Sequence, residues 1–239
     1  MAAKVSDAWN VLEHGPIEQL TERLWRVEGS IPGMTLRRVM TVARRRNGGL
    51  VIHSAIALRE AVLAELEALG RPEVLVVPGG FHRMDAPAYK RRYPALSVYS
   101  PSGSRTKVEE VVHVDGSYED FQADGVVELR TVPGTGAREG AMLVRSEAGV
   151  SVVLNDVVMN MDPKRDILGF LFTTLLGSAP GPRVSRLSKL TLVKDKQALR
   201  AELERLAALP DLAHLIVSHE KVARGADAKL ALERAATFL

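Results

Sequence analysis

Val152-Val-Leu-Asn-Asp156 is a short apolar run that ends on an acid, and Leu215-Ile-Val-Ser-His219 is a similar run that ends on an imidazole. Continuous apolar runs of this length are typical of buried strands. A strand that ends on a polar side chain places that side chain at the rim of its sheet, where ligands bind in layered α/β proteins. The two runs therefore predict a site that contains Asp156 and His219.

The composition is that of a globular protein and excludes several classes of site. The chain has 239 residues, of which 46% are hydrophobic and 26% charged, with a net charge of +3 and no cysteine. The lack of cysteine excludes disulfides, thiolate zinc sites, iron–sulfur clusters and thiol catalysis. The basic runs at 44–46 and 90–92 contain no interleaved aromatics, so we expect no nucleic-acid partner. We expect a cytoplasmic protein with no membrane partner, because the most apolar run, Ile167–Leu176, is too short to cross a bilayer.

Strand-like and helix-like segments alternate along the chain. The predicted strands cover residues 24–27, 36–42, 50–53, 74–77, 96–99, 126–132, 141–145, 149–154 and 212–217. The predicted helices cover residues 57–69, 87–92, 195–209 and 224–238. Residues 105–125 are polar, and we expect them to be irregular.

These elements form two blocks. A β-meander over residues 24–53 is followed by helix, strand, short helix and strand, and a hairpin that turns at 147–149 is followed by helix, strand and helix. Two β-rich halves, each flanked by helices, predict an α/β (α+β) fold, a four-layered αββα sandwich. No linker divides the chain, so we expect one domain over residues 1–239.

Four motifs resemble those of the metallo-β-lactamase superfamily, in the same order and over nearly the whole chain. Val74 to Asp85 lies where that family has H-x-H-x-D-H after an apolar strand. Val132-Pro-Gly-Thr135 resembles its T-P-G-H segment, Leu154-Asn-Asp156 its S-G-D, and Val217-Ser-His-Glu220 its closing G-H-G. The resemblance implies the αββα fold and a metal-dependent hydrolase site. It also implies that Asp156 stands where the family has an Asp that bridges two metal ions.

Two further stretches resemble a narrower, divergent branch of that superfamily, the DUF4336-like proteins. Ile52-His-Ser-Ala-Ile-Ala-Leu58 is similar to the H-S-P-V-A-L of that branch. Pro78 to Pro94 is similar to its P-N-x-x-H-H and the yP-A step that follows. The resemblance therefore implies a divergent member in which most metal ligands are replaced.

Most ligand positions of the superfamily hold other residues in this chain. The replaced positions, in chain order, fall at or near Gly79, Phe81, Arg83, Met84 and Thr135. Only Asp156 and His219 align cleanly, and His82 and Asp85 remain in the loop after Val77, each one residue out of step. Too few imidazoles are left for a binuclear site. The predicted cofactor is therefore none or a single divalent metal ion, either zinc, iron or manganese.

The candidate metal ligands are Asp156, His219 and His82, with Asp85 as the alternative to His82 for the third ligand. A catalytic zinc ion takes about three protein ligands and leaves one position to water. Each residue also has a structural alternative. Asp156 can accept hydrogen bonds from backbone amides, His219 can bond Asp156 without a metal, and His82 can be an ordinary loop residue.

The candidates for a catalytic acid or base are His82 and Asp85. Asp85 precedes Ala86-Pro87, so capping of a short helix is the alternative for its carboxylate. His53, Gly79 and Thr135 are predicted to line the pocket. For His53 the alternative is a structural histidine whose ring nitrogens are satisfied within the fold.

The apolar segment Ile167–Leu176 follows the Asp156 loop, and it has two interpretations. One is an ordinary core helix. The other is the wall of an apolar substrate pocket or a homodimer contact, because a helix that is apolar on every side needs cover on every side.

Two functions stay open at this stage. One is a divergent protein of metallo-β-lactamase fold that is non-catalytic or lacks the binuclear site, with a residual pocket around Asp156 and His219 for a small-molecule ligand. The alternative is a mononuclear metal-dependent hydrolase of an ester, thioester, lactone or phosphoester. The replaced ligands favour the first function, and the retained Asp156, His219 and His82 favour the second.

Overall fold

The computed structural model describes residues 5–239, in which twelve strands form two sheets. The first sheet has the order β1 to β7, antiparallel from β1 to β4 and parallel from β4 to β7. Its strands are β1 Glu18–Thr21, β2 Leu24–Ile31, β3 Met34–Arg44, β4 Leu50–His53, β5 Pro72–Val76, β6 Ser97–Ser100 and β7 Gly116–Ser117.

The second sheet has the order β12-β11-β10-β9-β8. Its strands are β8 Val127–Thr131, β9 Gly140–Ser146, β10 Gly149–Val153, β11 Leu212–Ile216 and β12 Ala223–Arg224. The α-helices are α1 Glu60–Leu69, α2 Ala86–Arg92, α3 Arg105–Glu109, α4 Ile167–Phe170, α5 Arg186–Thr191, α6 Lys196–Ala207 and α7 Ala226–Ala236. None of the helices within residues 5–239 combines the length and the apolar character that a membrane span needs.

Side chains along each strand point alternately to the two faces of its sheet, and this separates the core into layers. Val51 and Val74 of the first sheet pack in one cluster with Val153 and Ile216 of the second. Side chains of the opposite parity face the helices, because successive side chains of a strand point to opposite faces. On the first sheet, they pack with Leu63, Leu66 and Tyr89 of α1 and α2. On the second sheet, they pack with Leu199, Leu203, Leu206 and Leu232 of α6 and α7.

These layers confirm the predicted αββα sandwich. The helix α6 illustrates why its sequence folds as expected. Asp195 caps its first turn by accepting from the amides of Gln197 and Ala198, and the leucines at helical spacing turn towards the second sheet. The structure places this helix at Lys196–Ala207, close to the predicted 195–209.

One sequence expectation was wrong, and one of the two interpretations of another segment is excluded. Residues 105–125 are not irregular throughout, because they form α3, β7 and a 3-10 turn at Tyr118–Asp120. The segment Ile167–Leu176 is not a core helix. It forms α4 and then a π-helical turn at Leu171–Leu175, and much of it is exposed. Hydrophobic periodicity alone could not distinguish this arrangement from a buried helix.

Candidate metal centre

Three side chains converge where the rims of the two sheets meet. The Nε2 atom of His82 lies 3.0 Å from each carboxylate oxygen of Asp156. The Nε2 atom of His219 lies 3.7 Å from Oδ1 of the same carboxylate. The candidate ligand atoms of the three residues all lie within 4.8 Å of one another. The structure therefore brings together the three residues that the sequence nominates as metal ligands.

The pairing of β10 with β11 explains the position of two of these ligands. The strands are parallel, and Val153 is paired with Ile216. Asp156 and His219 each follow the paired residue of their strand by three positions. Both strands therefore lead to a polar side chain at the same rim of the sheet.

The third ligand comes from the loop after β5 in the first sheet. His82 closes a turn in which its amide donates to the carbonyl of Gly79 over 3.2 Å. The two sheets are joined at this point, because the amide of Val39 in β3 donates to the carbonyl of Ser218 over 2.8 Å. The centre is therefore held by elements of both sheets.

Outer hydrogen bonds orient both imidazoles. Nδ1 of His219 lies 2.8 Å from the carbonyl oxygen of Arg37, and this nitrogen therefore carries the proton that it donates. Nδ1 of His82 lies 3.3 Å from Oγ of Ser54. Metal-binding histidines commonly have this arrangement, in which the second ring nitrogen is anchored and the first faces the ion.

The electrostatics of the centre keep Asp156 ionised and His219 neutral, which are the protonation states that a metal ion requires of its ligands. Burial opposes ionisation of Asp156, but the charge and hydrogen bond of His82, followed by His219 and Ser218, lower the pKa of its carboxyl to about 2. Burial lowers the pKa of His219 despite the opposing attraction of Asp156. A neutral His219 that donates through Nδ1 directs the lone pair of Nε2 towards the carboxylate. Two electron-rich atoms then face each other, and a bound cation would remove this repulsion.

The spacing of the ligand atoms also fits a metal ion. Two ligand atoms bound to a tetrahedral zinc ion lie roughly 3.4 Å apart, given metal–ligand distances of about 2.1 Å. The separations of 3.0 and 3.7 Å from Asp156 to the two imidazoles lie on either side of that value. Two imidazoles and one carboxylate suit zinc and also Fe²⁺. Within residues 5–239 no second group of three such ligands comes together, which fits a single ion.

Glu139 supports the Asp156 loop, and sequence reasoning missed it. Its side chain is buried, and its Oε1 accepts from the amide of Asn155 over 2.8 Å. Burial, with the nearby charge of Asp156, raises the pKa of its carboxyl well above the usual range, although backbone amides of residues 155–157 oppose the shift. The sequence around Glu139, which directly precedes β9, gives no sign of this role. The reason is that its contact is with a loop that is distant along the chain.

A cavity of about 350 Å³ opens beside the three ligands. Asp156, His82 and His219 lie in its wall. Most of the remaining wall is apolar and includes Ile31, Met34, Leu36, Met84, Met159, Leu168, Leu171, Phe172, Leu176, Leu187 and Leu192. The segment Ile167–Leu176 therefore lines this cavity, as its second interpretation predicts.

Asp85 lies apart from the three ligands. It occupies the N-cap position of α2, as predicted, but its side chain makes no capping hydrogen bond. Its carboxylate instead forms a buried ion pair with Arg38 of β3 over 2.6 Å. Asp85 is therefore engaged by Arg38 and is not part of the group of three candidate ligands, and this favours a structural role for its carboxylate.

None of the three residues predicted to line the pocket forms part of the cavity wall. His53 is buried, and its Nε2 has no hydrogen-bond partner within the described chain. Burial, with the charge of His82, lowers the pKa of His53 to about 3. Thr135 is fully buried and donates to the carbonyl of Val132 over 2.7 Å, and Gly79 packs beside Asn155.

Two residues beside the centre have left-handed backbone conformations. Ser54 has φ of 57° and Glu220 has φ of 60°. Such angles are uncommon for residues other than glycine, and they concentrate at functional sites. Ser54 follows β4 and contacts His82, and Glu220 follows His219 directly, so both turns shape the surroundings of the ligands.

Solved structures with the same architecture include metallo-β-lactamases. The DIM-1 metallo-β-lactamase exposed to ceftazidime aligns with a TM-score of 0.63 and 12% identity, over 95% of this chain and 98% of that chain. A second DIM-1 structure gives 0.61 and 11%, over 94% and 99%. The chain has the metallo-β-lactamase fold. The metallo-β-lactamase from Pontibacter korlensis aligns with a TM-score of 0.59 and 10% identity, over 93% and 99%.

Comparisons of the sequence do not identify a narrower family within this fold. No protein-family model and no curated protein matches the sequence. The resemblance to the DUF4336-like branch therefore stays a prediction. Within the metallo-β-lactamase fold, two positions predicted to have lost metal ligands, Phe81 and Met84, now place apolar side chains in the cavity wall.

Proposed function

We propose that the protein is a mononuclear metal-dependent hydrolase whose single divalent ion is held by His82, Asp156 and His219. The observation that carries this proposal is the convergence of the three ligand atoms within 4.8 Å, with both imidazoles oriented by outer hydrogen bonds. The retained pair Asp156 and His219 comes from adjacent strand ends, which is a rigid support for a catalytic group.

The residues of the chain supply binding, orientation and exclusion of water. A bound divalent ion would act as a Lewis acid and lower the pKa of water towards neutrality. Asp156 stays ionised at neutral pH because its pKa lies at about 2. Ser218 donates to Oδ1 of Asp156 over 3.0 Å and fixes the carboxylate, and Ser188 donates to its backbone carbonyl over 2.6 Å. The apolar wall restricts access of bulk water to the reacting bond.

The charges around the cavity favour an uncharged carboxylic ester, thioester or lactone over a phosphoester. Arg38 is the one lining residue with a permanent positive charge, and it is already paired with Asp85. A phosphoester would therefore find no free guanidinium or ammonium group in the wall. The apolar side chains that surround the ligands suit the hydrocarbon part of an ester instead.

Metal content and activity are measured on the same preparations. We expect about one equivalent of zinc, iron or manganese per chain after exposure to each ion. His219→Ala and Asp156→Ala should both lose that metal, and His113→Ala serves as the matched control because His113 is exposed and lies outside the cluster. Hydrolysis of a short p-nitrophenyl carboxylate ester should require the metal, and p-nitrophenyl phosphate should not be turned over. Sub-stoichiometric metal under every condition would overturn the proposal.

A non-catalytic ligand-binding protein is the second candidate function. It is favoured by the contacts of 3.0 Å from His82 to both oxygens of Asp156, which satisfy the carboxylate without a metal. Under this alternative, the apolar cavity still binds a small molecule, but no preparation holds metal or hydrolyses an ester. The metal analysis above separates the two functions directly.

A further inference from the structure

Exposed apolar side chains are concentrated at Phe81 and in the segment between residues 167 and 190, part of which lines the cavity. The described residues include nine exposed large apolar side chains, and seven of these are Phe81 and six residues between 167 and 190. Ile167 is 86% exposed, and Leu190 is 82% exposed. Phe81, Leu168 and Leu171 also line the cavity, so the exposed cluster is continuous with the apolar wall. An exposed apolar cluster of this kind marks an interaction site.

The same part of the chain carries the excess of positive charge. Residues 163–196 contain seven Lys and Arg against two Asp, a net charge of +5 along the sequence, whereas the whole chain has a net charge of +3; of these cations, Lys164 is paired with Glu220. Arg165 and Arg186 are exposed, and Arg165 lies two residues before Ile167. Arg186 lies on the same face of α5 as Leu190, which follows four residues later. Cations therefore flank the exposed apolar side chains.

We propose that this docking surface, formed by Phe81 and the exposed side chains of residues 163–196, binds the surface of an anionic lipid membrane. Apolar side chains that enter the acyl region and cations that meet anionic headgroups are the two attractions that hold peripheral proteins on membranes. The cavity mouth would then face the hydrocarbon of the bilayer. Delivery of an apolar ester from the bilayer rests on the proposed hydrolase, but the docking itself does not.

Charge and shape favour a membrane over other occupants. A two-fold dimer through the same surface would bring two segments of net charge +5 together, which opposes association. An acidic protein partner would need an apolar groove for Ile167 and Leu190, whereas a bilayer offers both negative charge and apolar depth. The expectation of no membrane partner came from the lack of a spanning segment, which does not bear on attachment to a surface.

Vesicle flotation of the full chain tests the docking surface. The probes are phosphatidylcholine vesicles with and without phosphatidylglycerol, at low and high salt. We expect binding to the anionic vesicles and weaker binding at high salt, because the headgroup attraction is screened. The same binding should be measured with a metal chelator present, so a failure of the metal proposal leaves this result unchanged.

Paired variants separate the two attractions. Ile167→Ser with Leu190→Ser should lower the partition coefficient about ten-fold or more, because apolar side chains no longer enter the bilayer. Arg165→Gln and Arg186→Gln should each lower it about five-fold. Leu230→Ser and Arg200→Gln are the matched controls, since Leu230 is 59% exposed and both residues lie outside the docking surface. Thermal unfolding confirms that each variant is folded.

Three results would overturn the proposal. The first is no binding to anionic vesicles at low salt. The second is an equal loss of binding in the control variants. The third is a dimer in sedimentation that Ile167→Ser with Leu190→Ser dissociates, without any vesicle binding, which would assign the surface to a second copy of the chain.

Discussion

The rim of the second sheet supplies two candidate ligands from strand ends, whereas the rim of the first sheet supplies one from a loop. Asp156 and His219 follow β10 and β11 by the same number of residues, and the parallel register fixes their relation. His82 lies six residues beyond β5, in a turn that starts at Gly79. The other acid of that loop, Asp85, is held by Arg38 of β3 instead.

This difference shows that the two rims contribute differently to the cluster. At the second rim, both strand ends are followed by polar side chains that belong to the cluster. At the first rim, the loop after β5 is partly structural and partly apolar, because Asp85 pairs with Arg38 and Phe81 and Met84 line the cavity. Under the proposed function, the single ion would take two ligands from the second rim and one from the first.

The largest effect on stability is expected for the buried ion pair between Asp85 and Arg38 at the first rim. Asp85→Asn should lower the free energy of unfolding by about 3–5 kcal/mol, because it leaves the buried guanidinium of Arg38 without a counter-charge. Urea unfolding measures the change. The metal content should be the same as in the unchanged protein, because Asp85 is not part of the ligand cluster.

The double variant Arg38→Met with Asp85→Leu is the control for this ion pair. It removes both charges together, so it should recover most of the stability that Asp85→Asn loses. If Asp85→Asn removed the metal and left stability unchanged, Asp85 would belong to the centre, and the contrast between the two rims would be wrong.

The second effect concerns Asp156, a candidate metal ligand at the second rim. Zinc at 100 times its Kd should raise the free energy of unfolding by about 2.7 kcal/mol. Asp156→Asn should abolish this increase. Asp85→Asn should show the same increase with zinc, although its free energy of unfolding without zinc is lower. Urea unfolding with zinc and with a chelator gives both values. An equal zinc increment in Asp156→Asn would place the ion elsewhere.

Sequence reasoning succeeds here where a local pattern decides the structure. The ends of β10 and β11 were predictable because apolar runs reveal buried strands, and parallel neighbours end at one rim. The Arg38–Asp85 pair was not predictable, since it joins residues 47 positions apart and leaves no periodic signal. His82 was nominated as a ligand, but counting positions placed it one residue out of step. The turn from Gly79, which decides where its ring points, depends on packing against both sheets.

The third effect compares a strand-end histidine of each rim. His53 ends β4 in a buried position, and its Nε2 has no partner among residues 5–239, whereas His219 is directed into the centre. Burial, with His82, lowers the pKa of His53 from 6.5 to about 3. The unfolded chain therefore binds more protons between these values, so stability is complete above pH 6.5 and is lost as the pH falls. The slope from this residue is about 1.4 kcal/mol per pH unit.

The variant His53→Leu tests that slope, because leucine has no titratable group. Urea unfolding is measured from pH 7 to pH 4 with a chelator present. His219 and His214 also have pKa values that burial lowers, so both proteins should lose stability towards acid. The unchanged protein should lose more than the variant. Parallel curves would show that His53 is accessible to protons in the folded state.

The smallest effect comes from the two serines that orient the ligands. Ser218 belongs to the second rim and donates to Asp156 over 3.0 Å, whereas Ser54 of the first rim lies 3.3 Å from His82. Because outer hydrogen bonds typically change metal affinity by about 10-fold or more, Ser218→Ala should weaken zinc binding about 10-fold. Ser54→Ala should have a smaller effect, because its contact is longer and its ligand is held by a loop. Titration against a competing chelator gives both affinities, and a larger loss in Ser54→Ala would mean that the first rim, not the second, determines the geometry of the centre.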